Sequence, residues 1–162
     1  MVHQILQTKL HIPKLSDKLV SRPRLREPLL AGIEKKITLV SAPAGFGKTT
    51  VLSEFVARSP RPTAWLSLDA DDSDPVLFLS YLIAALQTVQ PGFGEGIKSA
   101  FQAGYPSGSL PMEGILTQLI NEVTQLERSL LLVLDDVHAI TEAQIQQAMI
   151  FLLDHLPPTY TW

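Results

Sequence analysis

Ala42-Pro43-Ala44-Gly45-Phe46-Gly47-Lys48-Thr49-Thr50 sets two glycines, a lysine and a hydroxyl at the spacing that holds a phosphate. Backbone N–H groups from Ala44 to Thr50 can curl around an anion because Gly45 and Gly47 carry no Cβ. The helix that follows turns its positive end to the same anion. Lys48 reaches the β- and γ-phosphates, and the Thr49 hydroxyl is a ligand for Mg²⁺. The complementary chemistry lies at Asp135-Asp136, at the end of the apolar run Leu130-Leu131-Leu132-Val133-Leu134. One carboxylate there anchors Mg²⁺ directly or through water, and an adjacent acid orients or deprotonates an attacking water. We assign Asp135 to the metal and Asp136 to the water.

Both motifs need strands to deliver them. Ile37–Ser41 reads as the first strand, with the phosphate loop and a helix to Ser59-Pro60 behind it. Thr63–Leu68 reads as a second strand. Leu130–Leu134 is apolar on both faces, as a central parallel strand must be. Ligands in open α/β sheets bind outside the carboxyl ends of the strands, which is where both motifs sit.

Helices are expected between these strands. Asp74-Pro75 is a capped start for a helix to about Val89, and Ile115 to Leu126 carries amphipathic spacing. Thr141-x-x-Gln144 reads as a capping box for a last helix, closed by Pro157-Pro158. Another short helix is expected around Leu25 to Ile33, after an irregular leader. The stretch from Gly94 to Pro111 yields only one short helix and a loop. Alternating strands and helices make this an α/β domain with a parallel sheet.

A chain of 162 residues with 46% apolar content has enough for one core, and no apolar run approaches a membrane span. Cysteine is absent, which excludes disulfides and thiolate metal sites. The net charge of −3 is unevenly placed: residues 1–36 hold eight bases and three acids, the remainder five and thirteen. The basic residues are spread out, punctuated by prolines and without aromatic residues to stack a base, so direct nucleic-acid binding by this part is not expected. Asp69, Asp71, Asp72 and Asp74 lack the glycine and distal glutamate of a calcium loop. His138 reads as a surface or packing histidine, and Trp65 and Phe78 as core.

The segments Thr8–Pro13, Leu19–Leu25, Ser41–Thr50, Ala64–Asp69 and Leu132–Asp136 together resemble the amino-terminal ATPase domain of MalT-like, LuxR-family transcriptional activators. That group lies among the signal-transducing ATPases with numerous domains. The resemblance covers nearly the whole chain. It implies a P-loop NTPase three-layer sandwich with a mostly parallel sheet, truncated before its last strands. Residues 1–35 would form a leader and short helix near the nucleotide base, and 36–162 a partial ATPase domain. In the family's terms the two motifs are Walker A and Walker B.

The implied ligands are ATP or ADP with Mg²⁺, and Val20 and Arg22 are carried over as nucleotide contacts. The implied behaviour is a cytoplasmic switch, closed with ADP and self-associating with ATP. It would reach DNA only through a carboxyl-terminal domain missing here, and turn over weakly or negligibly. The family's next strand would begin near Tyr160 and end in a γ-phosphate-sensing arginine. It would lie between the phosphate-loop strand and the Asp135 strand, so a gap is expected there.

Two other classes fit the same loop. A small-molecule P-loop kinase would use Asp69 as an acceptor-site acid, but it needs an arginine-rich lid, and Arg128 is the only arginine after Arg61. An interaction module would hold its nucleotide structurally.

Overall fold

The computed structural model describes residues 4–15, 22–35, 37–43, 45–103 and 110–157. Two strands, β1 (Thr63–Ser67) and β2 (Leu131–Asp135), pair in parallel with Thr63 opposite Leu131 and Ser67 opposite Asp135. The ladder is closed by Leu131 N–H to Pro62 C=O at one end and Leu68 N–H to Asp135 C=O, 3.0 Å, at the other. Among the described residues six α-helices surround it: α1 (Arg26–Ile33), α2 (Lys48–Arg58), α3 (Pro75–Gln87), α4 (Glu95–Ala103), α5 (Met112–Thr124) and α6 (Ala143–His155).

The pleat divides the core. Trp65, Leu131 and Val133 point to one face, where Leu52, Phe55 and Val56 of α2 cover them. Ala64, Leu66 and Leu132 point to the other, among side chains of α3, α5 and α6. Helices on both faces of a parallel sheet explain why neither strand alternates in polarity.

Local chemistry sets the ends. Asp74 caps α3 by accepting from Leu77 N–H at 2.8 Å, with Pro75 at the first helical position, as its sequence demands. At α6 the sequence pointed to Thr141 as the cap. The cap is Glu142, which accepts from Gln144 N–H, so the helix begins at Ala143.

The larger correction concerns Ile37–Ser41. This stretch joins no ladder among the described residues, because no strand lies beside it to receive its backbone hydrogen bonds. Instead, a cavity of about 1120 Å³ separates it from β2 and is lined by Ile37, Leu39, Leu131, Val133, Met149 and Ile150 among others. Leu39 is 78% exposed at its rim. Beneath, α1 packs closely: Gly32 lies against the Thr38 side chain and leaves no room for a Cβ.

An apolar slot beside an open strand edge recruits further backbone. Residues 1–162 alone are therefore expected to be marginally stable, to self-associate or bind nucleotide poorly, and to turn over negligibly. A chain longer by about fifteen residues, enough for one more strand, is expected to melt several degrees higher. Equal melting by circular dichroism would show that adjacent chain does not fill the slot.

Candidate functional site

The phosphate loop lies at the amino end of α2. Gly45 and Gly47 have φ of 81° and 79°, the left-handed region that glycine enters without strain. Phe46 N–H bonds Pro43 C=O, closing the turn, and Val51 N–H bonds Gly47 C=O, starting the helix. No side chain caps α2, so its first-turn amides are left to an outside acceptor. That is the arrangement an anion completes. Nothing lies within 4 Å of the place where a Gly45 Cβ would stand, so the loop is open on that side.

Lys48 folds over its own loop, its Nζ 2.7 Å from Ala42 C=O and 3.5 Å from Pro43 C=O. Thr49 Oγ1 donates to Asp135 Oδ2 at 2.8 Å, joining residues 86 apart in sequence. Asp135 is only 5% exposed, so its carboxylate has little water to lean on and Thr49 partly satisfies it. A hydroxyl and a carboxylate in direct contact form a hard oxygen pair of the kind Mg²⁺ takes, and they meet beside uncapped helix amides.

Asp136 behaves differently. Its φ of 58° is the left-handed conformation, entered by no other non-glycine among the described residues, and Asp tolerates it better than most. Its side chain is 51% exposed, and Asp136 Oδ1 lies 3.8 Å from Nδ1 of the exposed His138. Gly45, Gly47, Lys48, Thr49, Asp135 and Asp136 all line the polar end of the slot described above. Thr50 sits exposed in the first turn of α2.

Arg22 reaches the loop from the leader, its Nη1 donating to Phe46 C=O at 2.9 Å. Val20 and Ala44, also expected at the nucleotide, lie outside the described residues. The acidic turn after β1 resolves as a polar anchor. Asp69 and Asp72 pair with Lys9 and Asp74 caps α3, and no metal-binding group of three or more acids or histidines occurs among the described residues. Lys9 was not anticipated from the sequence, since its partners lie some sixty residues away.

The family model for the AAA ATPase domain matches residues 24–161. The chain belongs to the AAA ATPase domain family. As a member it is a nucleotide-binding domain of the P-loop type, and Lys48, Thr49, Asp135 and Asp136 all fall within the matched span.

The HTH-type transcriptional regulator MalT of Serratia proteamaculans is 37% identical over 158 residues, covering 97% of this chain and 17% of that protein. The serine/threonine-protein kinase PknK of Mycobacterium tuberculosis is 34% identical over 144 residues, 86% of this chain and 13% of that protein. PknK of Mycobacterium bovis matches to the same extent. The chain thus spans less than a fifth of these relatives. The likeness to MalT carries the resemblance beyond the AAA ATPase domain match into the leader that holds Lys9 and Arg22.

Proposed function

We propose that this chain is the ATP-binding, slowly hydrolysing switch domain of a bacterial MalT-like transcriptional regulator. The observation that carries the reading is the Thr49–Asp135 hydrogen bond of 2.8 Å beside Lys48. It brings the hydroxyl of the phosphate loop and the acid of the central strand to one point. The first-turn amides of α2 and Lys48 would hold the phosphates, and Thr49 with Asp135 would hold Mg²⁺, which would supply neutralisation of the phosphate charge. Asp136, exposed on the same rim, is the acid we assign to water. Arg22, whose guanidinium already touches the loop, and Val20 are retained as proposed nucleotide contacts. A switch of this kind would act in the cytoplasm, self-associate with ATP, and reach DNA through another domain. No helix among the described residues is long and apolar enough to cross a membrane.

The kinase alternative is weakened by Asp69. Its hydrogen bond to the Lys9 ammonium, opposed only by partial burial, lowers its pKa below the ordinary carboxylate value. A carboxylate so engaged is a poor base for an acceptor hydroxyl. Phosphate release from ATP, measured with and without small-molecule acceptors, separates the two. Transfer to an acceptor in preference to water would overturn the switch reading.

Adenine is expected to be favoured over guanine, because the chain has no Asn-Lys-x-Asp signature for guanine. Labelled ATP should therefore resist an equal concentration of GTP, and effective competition would count against the assignment.

A further inference from the structure

Lys9 is the most enclosed ion-pairing cation described, with its side chain 13% exposed. Its Nζ lies 2.7 Å from both oxygens of Asp72, which is 1% exposed, and 2.8 Å from Asp69 Oδ2. It also stands 5.1 Å above the Tyr81 ring of α3. Tyr81 Oη accepts from Leu6 N–H at 3.2 Å, and Leu10 is buried in the core, so the leader is fastened on both sides of Lys9. Burial opposes the ammonium, but its bonds to Asp69 and Asp72 outweigh that and raise its pKa.

The acids belong to one closed turn. Asp69 N–H donates to Asp72 Oδ2 at 2.9 Å, and Asp71 N–H to Asp69 Oδ1 at 3.0 Å. That turn continues directly from Leu68, whose N–H bonds Asp135 C=O, and Asp135 in turn accepts from Thr49. Lys9 therefore stands one turn away from the carboxyl end of the sheet, where Asp135 is carried.

We propose that Lys9 is a positioning residue for the nucleotide site, pinning the turn after β1 so that Asp135 is held in place for Thr49 and Mg²⁺. The proposal rests on the reading above for its nucleotide consequence, but its mechanical part stands on the clamp alone. Neutralising Lys9 by itself leaves Asp72 buried and uncompensated, which endangers the fold. The decisive variant is therefore the double change Lys9→Met with Asp72→Asn, which removes the enclosed pair and leaves only Asp69, whose side chain is 54% exposed to water.

Two measurements on residues 1–162 test it. In amide hydrogen exchange, Leu68 is expected to exchange about tenfold faster in the double variant, while Leu131, at the opposite end of the same ladder, is unchanged. In calorimetry, Mg²⁺-dependent ATP affinity is expected to fall several-fold while Mg²⁺-independent affinity is kept. Unchanged exchange at Leu68, or equal acceleration at Leu68 and Leu131, would overturn the proposal, the latter by showing general destabilisation. So would full Mg²⁺-dependent affinity in the variant. A wild-type chain that binds no nucleotide would sink the functional reading instead, and the exchange comparison would still decide Lys9.

Discussion

Lys48→Ala is expected to abolish nucleotide binding, weakening it by about 100-fold or more, which corresponds to about 3 kcal/mol. No other lysine or arginine lines the cavity among the described residues, and the nearby Arg22 is already engaged with Phe46 C=O at 2.9 Å. The ammonium already lies within the loop, 2.7 Å from Ala42 C=O, and a short swing exchanges that carbonyl for a phosphate oxygen. Removing it costs the loop only the contacts to Ala42 and Pro43 C=O, while the Phe46–Pro43 turn bond and the Val51–Gly47 helix bond are backbone to backbone and remain. Melting should therefore change little while calorimetric binding disappears. Unchanged ATP affinity in Lys48→Ala would mean that the loop is not the phosphate site.

The paired acids should separate just as sharply. Asp135→Asn keeps an oxygen for Thr49 but loses the charge, so Mg²⁺-dependent affinity is expected to fall. Asp136→Asn should leave binding intact and lower turnover by about 10²-fold or more in a longer chain that hydrolyses ATP. The second substitution is structurally quiet for a specific reason: asparagine accepts the left-handed conformation at φ 58° at least as readily as aspartate. Binding is read by calorimetry with and without Mg²⁺, and turnover by phosphate release. Equal loss of Mg²⁺-dependent binding in both would end the division of labour.

What the sequence disclosed and what it concealed follow a physical line. The phosphate loop, the Asp135 strand and the Asp74 cap depend on residues within a few positions of each other, so their patterns could be read directly. Ile37–Ser41 has every local mark of a strand, yet strand pairing is decided by what lies alongside, and nothing in those five residues reveals an absent neighbour. Lys9 was hidden for the same reason. Four acids in one loop look solvated until a lysine from the leader is folded in among them, and only then does a 1% exposed Asp72 make sense. Glu142 displaced Thr141 as a cap by a single position, a choice that local pattern leaves nearly degenerate.

Trp65 is fully buried, with its Nε1 donating to Ser67 Oγ at 2.9 Å and its ring sealed in by Phe55 and Val56. Those two residues belong to the helix that Lys48 begins, and Ser67 is paired with Asp135. The indole thus bridges the two halves of the site from beneath and makes an optical gauge of their separation. With the only other tryptophan removed by Trp162→Phe, its emission becomes a label-free signal of the helix moving against the sheet. Stopped-flow mixing with ATP and with ADP would then give the rates of that movement in solution.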